Sequence, residues 1–222
     1  MVGKSKRAKN VVDERLPPLK RGPKSTTSSA LHQIKYAGRL EQWITFQKEV
    51  TEAVNQQEWH QHPGIVGYGP SGQPGHHNVA HEQVCVGDET GVQGRFQQNV
   101  GQAMSAVFSS QSYDLRFADF KCSASSYSRT PDSIIMDSQG SIKAVGELKA
   151  PWVPDHQVNK LMTLIMMVYL KRAIGQLARY MKELHVKYGF FSIYDCHVFF
   201  KQELVNGNWT LFLFRSCQRS GH

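Results

Sequence analysis

Apolar and polar positions fall into readable periods along most of the chain. From Leu31 to about Gln57, Leu40, Trp43, Ile44, Phe46, Val50 and Val54 recur near helical spacing, which predicts a helix with one packing face. Residues 60–81 break the pattern with Gly, Pro and His60, His62, His76, His77 and His81, the composition of a long loop. A second helix is predicted from Glu89 to about Phe108, with Val92, Phe96, Val100, Met104, Val107 and Phe108 as its apolar stripe. Tyr113 to Phe120 alternates in part, the period of a strand. Apolar arms at 133–136 and 142–149 then flank Asp137-Ser138-Gln139-Gly140, which is good turn chemistry, so a hairpin is predicted. Pro151, Trp152 and Pro154 end its second arm. Residues 155–185 read as mainly helical with a break near Lys171-Arg172, Tyr188–Leu204 as a further hairpin, and Trp209–Phe214 as a last strand.

This order of helices and strands suits an α/β sandwich with a central mixed sheet flanked by helices. The chain has 222 residues and 40% apolar content, enough for one real core. Residues 1–29 lack any period: Lys4, Lys6, Arg7, Lys9, Arg15, Lys20, Arg21 and Lys24 face only Asp13 and Glu14. They are expected to form a basic, unordered tail ahead of a domain at 30–222. The net charge of +8, most of it in that tail, suits a polyanionic partner such as nucleic acid. The clusters Lys4–Lys9 and Lys20–Lys24 resemble a bipartite nuclear-localisation signal; a solvated tail with nonspecific phosphate attraction is the alternative. Cys85, Cys122, Cys196 and Cys217 form no paired motif and read as free thiols in a reducing compartment. The polar start is unlike a secretory signal, and the apolar run from Leu161 to Leu170 is too short to cross a bilayer. An intracellular protein without a membrane partner is therefore expected. The histidines of 60–81 show no fixed zinc spacing.

Chemistry concentrates at the hairpin. With Ser138 and Gln139 at its tip, Met136 faces Ser141 and Asp132 faces Val145. Side chains alternate along a strand, so Val145, Glu147 and Lys149 share one face with Asp132. Asp132 and Glu147 are then diagonal neighbours, with Cβ atoms roughly 7–8 Å apart. Two carboxylates so placed can share one divalent cation, with Lys149 beside them. The plain alternative is a Glu147–Lys149 surface pair. Against it, the flanks Ile134-Ile135-Met136 and Val145-Gly146 look buried, and charges on a buried strand are costly unless paired or metal-bound.

Pro131-Asp132, followed after a gap by Glu147-Leu148-Lys149, resembles the PD-(D/E)XK nuclease motif. The stretches Gly146–Trp152 and Lys187–Tyr194 are similar to a fungal nuclease-like group of that superfamily. Gln176 and Tyr180, four residues apart on one helix face, resemble the QxxxY accessory motif of its exonuclease branch; an amphipathic helix with a boundary Tyr is the plain reading. The resemblance spans about 85–215. It implies a restriction-endonuclease-like fold and a Mg²⁺- or Mn²⁺-dependent nuclease acting on nucleic acid, DNA first. Asp132, Glu147 and the carbonyl of Leu148 would hold the metal, supported by an acid from the first helix of the domain. Glu89 is the candidate and Asp88 the alternative; either is also an ordinary acid near a helix N-terminus. Lys149 would orient water, and Gln176 and Tyr180 would position Lys149 or the nucleic-acid backbone. Two other readings stay open: a nuclease-like fold that binds without turnover, and an adaptor driven by the tail.

Overall fold

The computed structural model describes residues 5–27, 35–57, 59, 65–67, 84–156, 171–172 and 174–217. The chain opens with β1 (Ser5–Arg7), α1 (Ala8–Val12) and β2 (Lys20–Arg21). Next come β3 (Arg39–Gln42), α2 (Phe46–Gln56), β4 (Ile65–Gly67) and β5 (Cys85–Val86). A long helix follows as α3 (Glu89–Phe96), a π-helical turn (Gln97–Gly101) and α4 (Gln102–Ser110). The remaining elements are β6 (Arg116–Ala118), β7 (Ser133–Met136), β8 (Ile142–Leu148), α5 (Gly175–Glu183), β9 (Tyr188–Ser192), β10 (Cys196–Val205) and β11 (Asn208–Cys217).

The protein is α/β, built on a seven-stranded mixed sheet in the order β3-β11-β10-β9-β8-β7-β6. β8 and β9 run parallel, as do β11 and β3, and the other neighbours are antiparallel. The centre of the sheet is covered on both faces. Ile134, Val145, Phe191 and Phe200 pack with Ile174, Leu177 and Met181 of the α5 region. Leu148 and Phe190 pack on the opposite face with Val92 and Phe96 of α3. Two-sided burial fits the consecutive small and apolar positions Ala144-Val145-Gly146 in the middle of β8, all buried.

Several expectations change. The helix expected from Leu31 to Gln57 is instead β3 followed by α2, among the residues described there. Leu40 pairs with Leu211 in parallel register, so sheet pairing overrides a helical period in this stretch. The described part of the expected tail packs on the domain: Ala8 and Val11 are buried, and β2 pairs with β5. Tyr194 donates to Pro17 O at 2.9 Å, and Trp152 Nε1 to Thr26 O at 2.8 Å. Its apolar residues, too few to form a core, thus borrow one: Ala8 and Val11 pack with Val107 of α4, and Leu16 and Leu19 against the cluster of Val92, Phe96, Leu148 and Phe190. The expectation of four free thiols is also corrected. Cys196 and Cys217 form a disulfide, brought opposite each other by the register of β10 and β11; Cys85 and Cys122 are free and exposed. The histidines of 60–81, and residues 157–170 of the expected helical stretch, lie outside the described residues. No described helix is long and apolar enough to cross a membrane.

Gly146 shows how tightly β8 is covered. A Cβ there would run into the Phe190 ring, which is stacked on Phe96 with centroids 5.6 Å apart. Gly146→Ala is expected to destabilise the fold by about 1–3 kcal/mol, the usual cost of overpacking, as read by thermal or denaturant unfolding. A melting temperature equal to that of the wild type would contradict this packing.

Candidate functional site

The site is assembled at the end of β8. Pairing of β7 with β8 runs Ser133↔Gly146, Ile134↔Val145, Ile135↔Ala144 and then Met136↔Ile142, with a bulge between Ile135 and Met136. Continuing this register brings Asp132 level with Glu147, not with Val145 as the turn chemistry suggested. Two causes act together. The turn closes around Asp137, whose Oδ1 accepts the N–H groups of Gln139 and Ser141 at 3.0 and 2.9 Å, with Gly140 at a φ of +77°. The bulge then adds a second single-residue shift. A shift of one would turn the face over, whereas two shifts restore it. The acids stay on one face and become direct cross-strand neighbours, closer than the expected diagonal pair.

Local contacts fix each group. Asp132 Oδ2 accepts the Leu148 N–H at 2.8 Å. Lys149 Nζ donates to Glu147 Oε1 and to Glu89 Oε1, both at 2.7 Å. The Lys149 N–H binds Ser192 O at 2.9 Å, pinning the end of β8 to β9. A strand residue points its N–H and C=O to the same side, so the Leu148 carbonyl also faces the side of Asp132. Carboxylate oxygens of Glu89, Asp132 and Glu147 lie within 4.8 Å of one another. Glu147 is 0% exposed, and its Oε2 has no hydrogen-bond partner among the described residues.

α3 divides its first two acids between different tasks. Asp88 is the N-cap and accepts the Gly91 N–H at 2.8 Å, leaving Glu89 to reach the cluster. Gln93, one turn on, donates to Asp132. Gln97, a further turn on, donates to Ser133 Oγ at 2.9 Å. Sequence reasoning passed over Gln93 and Gln97; their spacing of four from Glu89 along one helix face was the available signal. On α5, Gln176 Nε2 donates to the Tyr180 hydroxyl at 2.6 Å, and that hydroxyl reaches Thr130 O at 3.4 Å. This pair therefore meets the segment leading into Asp132. Its described hydrogen bonds do not go to Lys149.

Burial dominates the electrostatics. It pushes Asp132 up to about 6, against the pull of Lys149 and the Leu148 N–H. It pushes Glu147 up to about 8, with Asp132 adding to the rise. Burial pulls the Lys149 ammonium down, but Glu147, Asp132 and Glu89 together outweigh it and hold the group above its ordinary value. Burial also raises the Tyr180 hydroxyl, and the charges of Glu147 and Asp132 add to the effect. Three carboxylates thus meet one ammonium in a dry site, and full ionisation leaves negative charge unmatched.

No protein-family model, curated protein or solved structure matches the chain.

The raised carboxylates set a pH dependence. A carboxylate whose folded pKa lies above its unfolded value binds more protons when folded, so its contribution to stability falls as pH rises between the two values. For Glu147 that window runs from about 4, the unfolded value, to about 8. His197 acts in the opposite sense, since burial lowers it to about 4, so the useful measurement is a difference between proteins. Wild-type stability minus that of Glu147→Gln should fall from pH 5 to pH 8 in urea unfolding without divalent ions. A difference that is flat or rising would contradict the desolvated carboxylate.

Proposed function

We propose that the chain is a metal-dependent phosphodiesterase that hydrolyses nucleic acid, DNA first, on a restriction-endonuclease-like fold of the PD-(D/E)XK kind. The observation that carries this reading is Glu147 Oε2, a buried carboxylate oxygen without a described partner inside a cluster of three acids. Such oxygens are nearly always satisfied, so an unpartnered one on a residue of an acidic cluster points to a cation. The donors available are all oxygens, from Asp132, Glu147, Glu89 and the Leu148 carbonyl. That set fits a hard ion such as Mg²⁺ or Mn²⁺ better than zinc. When bound, such an ion polarises a phosphodiester and acidifies a water.

The side chains supply the rest. The Leu148 N–H and Gln93 hold Asp132 in one orientation. Lys149, kept protonated by the acids around it, orients the attacking water and meets negative charge as it gathers on the phosphoryl oxygens. Glu89 keeps Lys149 beside Glu147. Gln176 and Tyr180 line the α5 side, where an amide and a hydroxyl can hold the sugar-phosphate chain. The basic composition supports a nucleic-acid partner, and the two basic N-terminal clusters support an intracellular, nuclear setting.

One observation favours a second reading, a nuclease-like fold that binds without turnover. Lys149 already bridges Glu89 and Glu147, matching part of the charge with an internal ammonium.

Plasmid and single-stranded substrates should be cut with Mg²⁺ or Mn²⁺ and spared in chelator. Glu147→Gln and Lys149→Ala should each slow cleavage by at least about 100-fold, the scale seen when one transition-state donor is removed. Both variants must keep a cooperative melt, because breaking a buried charge group costs about 3–5 kcal/mol. Full cleavage by either folded variant rejects the catalytic assignment. Titration calorimetry should show Mg²⁺ or Mn²⁺ binding that disappears in Asp132→Asn; no such binding would favour the silent fold.

A further inference from the structure

A second polar surface lies on the other flank of α5. A groove with a volume of about 510 Å³ opens between α5, the segment before β3 and the start of β11. Its walls include Lys35, Arg179, Lys182, Glu183, Tyr36 and Trp209. Glu183 is already engaged, taking Arg179 Nε at 2.9 Å and the Tyr127 hydroxyl. The Tyr36 N–H binds Lys171 O at 2.9 Å, which ties the segment before β3 to the backbone at residue 171. Trp209 is 48% exposed although its backbone is fixed, its carbonyl accepting the Tyr36 hydroxyl at 3.4 Å.

An exposed indole sharing a groove with Lys35, Arg179 and Lys182 is an arrangement that holds an unpaired strand: phosphates meet the cations and a base stacks on the ring. A duplex does not satisfy it, because its base faces are taken up by their own stack. The groove is also joined to the acid cluster through one helix. Gly175 and Arg179 line it, and their chain neighbours Gln176 and Tyr180 serve the acid-cluster side. We propose that this groove binds a single-stranded stretch of nucleic acid, with phosphates on Lys35, Arg179 and Lys182 and one base stacked on Trp209. As an account of substrate choice it rests on the nuclease reading; as a binding site it stands without it.

Fluorescence anisotropy of the full chain in chelator tests it, using a labelled oligothymidylate of about 15 nucleotides and a blunt duplex of equal length. The wild type should prefer the single strand. Trp209→Ala should bind that strand about tenfold more weakly, with duplex binding unchanged, and Trp209→Phe should restore most of the loss. Lys182→Ala should lower the slope of log affinity against log salt by about 0.7, one phosphate contact on a single strand. Melting curves establish that each variant is folded. Wild-type affinity in folded Trp209→Ala, or a wild-type preference for duplex, overturns the proposal. A Trp209-dependent dimer in light scattering also overturns it, assigning the surface to a second copy. Trp209-dependent binding without cleavage in Mg²⁺ would support the groove and remove the nuclease reading. Cleavage with no Trp209 effect would do the reverse.

Discussion

Glu147 is held out of water, and a carboxylate so placed needs positive charge or donors within reach. The surroundings of β8 follow from that need. Lys149 answers it from two residues further along the strand, and β9 fixes the backbone that carries Lys149 through the bond to Ser192. Glu89 and Asp132 then crowd the same ammonium, so the corner holds more negative charge than its own cation can match. A structure that served stability alone would place a hydrophobic side chain in this position. Replacing buried ionic groups with well-packed apolar ones is often neutral or stabilising.

The architecture explains how groups so far apart in sequence meet at one point. β8 ends where α3 begins on one face and where α5 passes on the other. The cap at Asp88 settles where α3 starts, and the Glu89, Gln93 and Gln97 series carries polar groups along its inner side. The π-helical turn begins at the last of these residues, a place where such turns are often found near functional sites. The opposite flank is closed by the Gln176–Tyr180 pair against Thr130. Aromatic packing under the sheet, with Phe190 against Gly146 and Phe96, keeps β8 in place between the two layers.

Desolvation links protonation and stability. Burial raises Asp132 and Glu147, so under the proposed metal-binding reading protons and a divalent ion would compete for the same oxygens. α5 extends this chemistry outward, since its acid-cluster side and its basic groove are one residue apart along the helix. The two surfaces differ in kind. The first is buried and acidic, the second exposed, basic and aromatic.

Much of this was legible in the residues themselves. The helix from Glu89, the arms at 133–136 and 142–149, and the acids on a buried strand all follow from local period and turn chemistry. The face shared by Asp132, Glu147 and Lys149 was also readable, because alternation along a strand is a property of the backbone. Register was not: the turn around Asp137 and the bulge beside Met136 each moved the pairing by one, and only the paired strands record both. Leu40 joined a sheet despite its helical spacing because β11 offered a partner from the far end of the chain. Cys196 met Cys217 because the β10–β11 register set them opposite each other, and the N-terminal segment found its core against α4 and the α3 side of the sheet. The sequence by itself determined which groups carry charge and which side of a strand they occupy. Which of them meet, and how dry the meeting place is, depended on long-range pairing and packing, because burial is a property of the surrounding layers and not of any one segment.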